Sequence, residues 1–167
     1  AMLARRFMEF LDYQRVKYSI IPHSTAYTAL EIAARAHVPR QELAKTVIVK
    51  LDGALAMAVL PASHHVEIEN LRLASGARQA RIATEADFRK RFPDCEVGAM
   101  PPFGNLYDMP VLVDESLTKD KDITFNACSH DELVRMSYED FARLVRPKVL
   151  KFADRGPHAI TLDDRLW

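Results

Sequence analysis

The stretch KTVIVKLDGALAMAVL, residues 45–60, decides the fold of this chain. Its two apolar runs, residues 45–51 and 55–60, flank Asp52-Gly53, and an Asp-Gly pair between such runs is a strong signal for a two-residue hairpin turn. The second run is apolar on both faces, which is typical of a strand in the middle of a sheet. We therefore expect an antiparallel hairpin whose second strand is central.

Shorter segments on either side of the hairpin alternate between helical and extended patterns. Apolar spacing and capping signals predict helices over residues 3–15, 28–35, 66–76, 84–92 and 138–145. Short apolar runs predict strands over residues 18–21, 80–83, 110–113, 122–126 and 132–136. Because helices and strands are interleaved, we expect a mixed α+β fold around a curved sheet flanked by helices. The tail from Pro147 alternates charged and turn residues, and we expect it to be only partly ordered.

The composition is that of one ordinary domain. The chain has 167 residues, 49% of them hydrophobic, and its 23 basic residues balance 23 acidic ones. These values exclude a disordered polypeptide and a protein that coats nucleic acid through bulk positive charge. No apolar run approaches the roughly 18 residues of a membrane span, so we expect no membrane partner and a cytoplasmic location.

The cysteine and histidine residues do not follow a metal-binding pattern. Cys95 and Cys128 are too few for a disulfide scaffold or a four-ligand zinc site, and they fit a reducing compartment. His64 and His65 are adjacent, so their rings diverge and would not chelate one ion without further ligands. We expect these two histidines on a solvated loop and no bound metal.

Two features could bind a ligand. Lys45 begins a strand that is otherwise apolar. Either its ammonium reaches water past that strand, or it is fixed in a pocket where it can hold a phosphate or carboxylate. Residues 98–104, GAMPPFG, contain two glycines and two prolines. Such a loop is stiff and can bring backbone N–H groups close to a ligand, and a purely structural turn remains the alternative.

Two further patterns look chemical but have simpler explanations. The quartet Cys128-Ser129-His130-Asp131 resembles a catalytic set. However, neighbouring side chains on a strand point to opposite faces, so Ser129 and His130 cannot meet directly. We discount nucleophilic catalysis there and expect His130 to line a pocket. The basic runs within residues 72–91 and 143–151 are typical of solvated faces, with a local phosphate-contacting patch as the alternative.

Several of these pieces occur in an order that resembles a known family. His23-Ser24, a helix containing Glu31, Ala44-Lys45-Thr46-Val47, Asp52-Gly53 and Gly98-Ala-Met-Pro-Pro-Phe-Gly104 follow one another along the chain. This combination resembles the YbaK/ProX family of free-standing aminoacyl-tRNA deacylases, which are relatives of the editing domain inserted in bacterial prolyl-tRNA synthetases. The resemblance covers about residues 5–145.

The resemblance implies a barrel-like sheet in a single editing domain over residues 1–167, with its core at about 5–145 and a short C-terminal tail. It implies hydrolysis of a mischarged aminoacyl-tRNA that carries a small amino acid, without a metal or cofactor. The partners would be the tRNA 3′ end and an aminoacyl-tRNA synthetase. The alternative is a non-catalytic module that holds a tRNA end or an adenine nucleotide and docks on a synthetase.

The same resemblance implies roles for individual residues. Lys45 would hold the terminal phosphate or ribose, and the N–H groups of Gly98 and Ala99 would bind the aminoacyl carbonyl and stabilise its oxyanion. A water positioned by the loop and a ribose hydroxyl would attack the ester. The amino-acid pocket would be lined by His23, Tyr27, Thr28, Thr46, Met100, Pro101, Pro102, Ser129 and His130. Cys128 stands where many members have a small, glycine-like residue.

Overall fold

The computed structural model describes residues 5–23, 29–39 and 41–154. The α-helices within these ranges are α1 (Arg5–Tyr13), α2 (Ala29–Ala36), α3 (Ile68–Ser75), α4 (Glu85–Phe88) and α5 (Tyr138–Val145). The strands are β1 (Tyr18–Pro22), β2 (Ala44–Leu51), β3 (Ala54–Pro61), β4 (His65–Val66), β5 (Ala80–Ile82), β6 (Val111–Asp114), β7 (Asp122–Asn126), β8 (Glu132–Ser137), β9 (Lys148–Leu150) and β10 (Ala153–Asp154).

The predicted hairpin is the centre of the larger sheet. β2 and β3 pair antiparallel from Ala44↔Pro61 to Leu51↔Ala54, which leaves a two-residue turn. Asp52 and Gly53 have φ angles of 51° and 83°, the left-handed values that a hairpin turn of this length requires. The strand order is β5-β2-β3-β6-β9. The expectation of a central second strand is therefore confirmed.

A second, antiparallel sheet has the order β1-β8-β7. It meets the larger sheet at a parallel bridge between Leu43 and Thr124, and the Thr124 N–H donates to the Glu42 carbonyl at 3.0 Å. The result is the mixed α+β fold that the sequence predicts.

The main core takes side chains from both sheets and from α1 and α5. Phe103 lies in it with its ring centroid 4.9 Å from Phe7, 5.7 Å from Phe125 and 5.5 Å from Phe141. All four rings are buried, and each such burial stabilises the fold by about 1.5–3 kcal/mol. Because Phe103 belongs to the glycine- and proline-rich loop, this core also anchors the loop.

Two smaller clusters cover one face of β2. Leu43 packs with Ile32 of α2 and Leu133 of β8. Farther along the strand, Val47 and Val49 pack in the cluster that contains Leu71 of α3. Because alternate residues of a strand share a face, Lys45 stands between the α2 cluster and the α3 cluster.

The C-terminal segment differs from the expectation of partial order. Residues 148–150 extend the larger sheet beside β6, and β10 pairs with β4. The Asp114 carboxylate accepts hydrogen bonds from the N–H groups of Phe152 and Ala153, both at 2.9 Å. The order of residues 148–154 comes from one distant carboxylate and from a buried Phe152, which the local sequence does not indicate.

Other corrections are local. The helix expected over residues 84–92 ends as α4 and continues as a 3₁₀ turn, Arg89–Arg91. His64 is buried and His65 belongs to β4, so the two histidines are not on a solvated loop. Cys95 and Cys128 are joined in a disulfide, with Cα atoms 4.1 Å apart, instead of remaining separate thiols. Among the helices of the described ranges, none has the length and apolarity that a bilayer crossing requires.

Candidate functional site

Lys45 is fully buried, with 0% of its surface exposed. This excludes the interpretation in which its ammonium reaches water. Its strand pairs it with Leu60, and its flanking same-face residues are Leu43 and Val47. Burial of an ammonium group costs folding free energy unless polar groups bond to it. A lysine is therefore unusual at this position, where an apolar side chain would be expected.

The glycine- and proline-rich loop begins with a tight turn. The Ala99 N–H donates to the Glu96 carbonyl at 3.0 Å, and Gly98, the third residue of this turn, has a φ of 84°. A type II turn requires such a φ at its third position and therefore favours glycine there. The Ala99 amide is thus occupied, which corrects the expectation that both amides face a substrate. The Gly98 N–H donates to no residue in the described part of the chain.

The turn is docked on the segment that follows β7. The Cys128 N–H donates to the Ala99 carbonyl at 2.7 Å, and the Glu96 N–H donates to the Cys128 carbonyl at 3.0 Å. The Cys95–Cys128 disulfide joins the same two segments. Cys128 itself has a φ of 72°, a left-handed conformation that glycine adopts at little cost. This agrees with the glycine-like residue that the resemblance predicts there.

The histidine and serine after Cys128 are held in structural hydrogen bonds. The His130 N–H donates to Glu96 at 3.0 Å, and its Nε2 lies 2.7 Å from the Val97 carbonyl oxygen. Because a carbonyl only accepts, Nε2 carries the proton. The Ser129 hydroxyl donates to Asp131, and this bond lowers the pKa of the Asp131 carboxyl. Ser129 therefore has a carboxylate and not an imidazole as its partner, so the quartet does not form a nucleophile–base pair.

His23 follows the end of β1 and lies beside Asp131, which precedes β8. The His23 N–H donates to the Asp131 carbonyl at 2.9 Å, which extends the β1–β8 pairing toward the docked loop. Tyr27 and Thr28, expected in the same pocket, lie outside the described residues.

The remaining predicted pocket residues are buried, either on the face of β2 opposite Lys45 or beside the main core. Thr46 is buried, but strand alternation turns it to the face opposite Lys45. Met100 packs in the main core. Pro101 and Pro102 are buried between the turn and Phe103.

One candidate was missed by the sequence reasoning. Asn126, the last residue of β7, is 1% exposed, and in the described part of the chain neither its Oδ1 nor its Nδ2 has a hydrogen-bond partner. The Leu43–Thr124 bridge puts it in register with Lys45, two residues farther along each strand. An asparagine at the end of a strand is common in any sequence, so no local signal marks it.

These residues form one group at the end of β7, consisting of Lys45, Asn126, the turn at Gly98, and the Ser129-His130 segment. The model of the aminoacyl-tRNA editing domain family matches residues 23–144, which contain all of them. The chain belongs to this family.

Solved structures agree with this assignment at the level of the fold. The chain is similar to "hypothetical protein APE2540" with a TM-score of 0.79 and 19% identity, over 90% of this chain and 100% of that one. It is similar to a "putative trans-editing enzyme for prolyl tRNA synthetase" with a TM-score of 0.76 and 19% identity, over 90% of this chain and 96% of that one. No curated protein sequence matches the chain significantly.

A third structure carries the same fold within a longer chain. It is a "Putative signal transduction protein" from Marinobacter aquaeolei VT8, with a TM-score of 0.73 and 17% identity, and the match spans 91% of this chain and 31% of that one. The editing-domain fold therefore occurs both nearly alone and as one part of a larger protein.

Several basic residues of the editing domain are paired with acids. Lys50 and Arg81 both approach Asp87, at 3.3 and 2.9 Å, and the hydrogen bond from Arg81 lowers the pKa of that carboxyl. Arg72 pairs with Glu69. Lys50 and Arg81 also line an open groove of about 330 Å³ beside the hairpin turn. Across the ranges given above, no group of three or more histidine, cysteine or acidic residues is arranged to hold a metal ion.

Proposed function

We propose that this editing domain hydrolyses mischarged aminoacyl-tRNA that carries a small amino acid, acting in trans. The observation that carries the proposal is a fully buried lysine in register with the end of β7, where the docked glycine turn lies, in a chain of the editing-domain family. The tRNA 3′ end would enter this site, and a synthetase that produces the mischarged tRNA would be the further partner.

The chemistry assigned to the site needs a water and no protein nucleophile. Water adds to the ester carbonyl, the carbonyl oxygen becomes an oxyanion, and collapse of the intermediate releases the amino acid and the tRNA hydroxyl. The neighbouring ribose hydroxyl of the tRNA orients the water. The Gly98 N–H would stabilise the oxyanion, and the engagement of Ser129 with Asp131 supports a mechanism without an acyl-enzyme.

Lys45 would act on the substrate by charge. Its ammonium would bind the terminal phosphate or the ribose oxygens, and its burial would strengthen that interaction because little water screens it. Binding at a buried cation also fixes the ester relative to the turn, and such positioning lowers the barrier of the reaction.

The test is release of the amino acid from a panel of singly mischarged tRNAs. The structural neighbour described with reference to prolyl tRNA synthetase makes tRNAPro the first choice. Lys45→Met keeps the volume of the side chain and removes its charge. We expect this variant to lower kcat/KM by about 10²-fold, because the ester is no longer positioned against the turn.

The matched control is Lys121→Ala, because Lys121 is exposed and precedes β7 at the end far from Asn126. It should retain the wild-type rate. Release of no amino acid from the whole panel by the wild-type protein, together with measurable tRNA binding, would favour the non-catalytic module instead. Equal activity of Lys45→Met and wild type would refute the role of Lys45.

A further inference from the structure

Asn126 is a buried carboxamide with no hydrogen-bond partner among the residues that the structure describes. It is 1% exposed, and within those residues neither Oδ1 nor Nδ2 has a partner. Leaving a buried donor and a buried acceptor unsatisfied costs stability, so buried polar groups are nearly always bonded. An exception of this kind calls for an explanation, and a ligand that completes the hydrogen bonds is one.

Thr124, on the same face of β7 as Asn126, is a buried polar residue whose hydrogen bond is formed. Thr124 is also fully buried, and its hydroxyl donates to Glu42 at 2.9 Å. It lies at the bridge where the two sheets touch. Asn126 lies two residues beyond this bridge, and Lys45 is the residue in register with it.

The wall around Asn126 is apolar. Leu133 is paired with Asn126 across β7 and β8, and it is buried in the α2 cluster with Ile32 and Ala62. A carboxamide donates hydrogen bonds from Nδ2 and accepts them at Oδ1. A hydroxyl is a small group that can accept from Nδ2 and donate to Oδ1, whereas a methyl group can do neither.

We propose that Asn126 is a specificity-determining residue that selects an acyl group with a side-chain hydroxyl over alanine. This inference rests on the proposed function, since it names the substrate class of the same site. A site built to bond a hydroxyl rejects the analogue that lacks it by far more than a purely apolar pocket rejects one methylene, because its polar groups stay unpaired.

The experiment measures kcat/KM for seryl and alanyl esters of the same tRNA. For wild type we expect the seryl ester to be preferred by at least about 10²-fold. Asn126→Leu has nearly the same size and shape but no hydrogen-bonding atoms, and it should reduce the seryl-to-alanyl ratio to within about tenfold of unity. Thr124→Val makes the same kind of change two residues earlier on the same face, and it should leave the ratio as in wild type.

A second measurement tests the unpaired amide without any substrate. Because Asn126→Leu removes two unsatisfied polar atoms, we expect its midpoint of thermal unfolding to equal or exceed that of wild type. Thr124→Val breaks a formed hydrogen bond and should lower the midpoint. A lower midpoint for Asn126→Leu would show that the amide is already bonded in the free protein and would overturn the inference.

The outcomes separate this inference from the function on which it rests. If wild type releases no amino acid from any ester, the proposed function fails and the inference fails with it. If wild type releases serine and alanine equally well, or if Asn126→Leu slows both esters by the same factor, deacylation stands and the selection by Asn126 is refuted.

Discussion

At the scale of single residues, two left-handed backbone positions face each other in the site. Gly98 has a φ of 84° and Cys128 a φ of 72°, and hydrogen bonds between residues 96–99 and Cys128 join their segments. Each conformation is costly for most residues. The site therefore depends on backbone shape at these positions as much as on side-chain chemistry.

Gly98→Ala tests this dependence. A side chain at a left-handed φ costs roughly 1–2 kcal/mol, so we expect the free energy of unfolding to fall by about that amount. We also expect deacylation to fall by about 10²-fold as the turn shifts. Gly53→Ala is the matched control, since Gly53 has a φ of 83° and open space around its Cβ position. It should lose similar stability, measured by denaturant unfolding, and keep its activity. A Gly98→Ala variant with full activity would contradict the role of the turn.

Sequence reasoning reached some of these residues and not others. Lys45 and the glycine at 98 stand out because a charge in an apolar strand and a cluster of glycine and proline are local anomalies. Asn126 and the occupied Ala99 amide were not foreseeable. Whether a polar group finds a partner depends on residues far away in the chain, and that information appears only with the tertiary structure.

At the scale of elements, Asp114 fastens the last strands to the sheet. Its carboxylate is the N-terminal cap of the 3₁₀ turn Glu115–Lys119, and it also accepts the N–H groups of Phe152 and Ala153. Burial alone would raise the pKa of Asp114, but hydrogen bonds from Ser116, Phe152 and Ala153 outweigh it and lower the pKa. Together with the pairing of β6 and β9, this side chain holds in place a segment whose own sequence is typical of a tail.

The lowered pKa sets the sign of a pH dependence. The unfolded carboxyl has a pKa of about 3.9, so the contribution of Asp114 is complete above that pH and is lost as the pH falls through the lower folded value. Asp114→Asn should reduce the free energy of unfolding at pH 7 by about 1–3 kcal/mol. Urea unfolding of both proteins between pH 7 and pH 2.5 should show this difference shrinking toward the acid end.

Asp120 gives the opposite sign and serves as the control. Burial and the nearby Glu42 raise the pKa of Asp120, so its charge opposes folding at neutral pH, and that penalty disappears as the pH falls. Asp120→Asn should therefore match or exceed the wild-type stability at pH 7. A loss of stability in Asp120→Asn as large as that in Asp114→Asn would contradict this account.

At the scale of the whole molecule, the two sheets meet at the Leu43–Thr124 bridge, and the Cys95–Cys128 disulfide joins the segment after α4 to the segment after β7. The hairpin and the longer strands were predicted well because their patterns are local. The bridge and the disulfide were not predicted, since a partner far away in the chain, 33 residues in the case of the cysteines, leaves no local sign in the sequence.

Reduction of the disulfide should weaken the entire domain. A cross-link that closes a loop of this length stabilises by about 3–4 kcal/mol through the unfolded chain. Guanidinium unfolding of wild type should therefore shift to lower denaturant when a dithiol reductant is added. The double variant Cys95→Ser, Cys128→Ser should unfold at the lower midpoint in both conditions. Identical midpoints for wild type with and without reductant would show that the cross-link carries no stability.

The single bridge at Leu43 and Thr124 also bears on how this scaffold diversifies. Lys45 and Asn126 stand two residues past that bridge, so a different side chain at either position leaves its backbone pairing intact. Under the proposed function, substitutions at these two positions would change which acyl group is accepted while the backbone stays as it is. A fold that is matched at a TM-score of 0.79 with 19% identity shows how far the sequence can change while this architecture is kept.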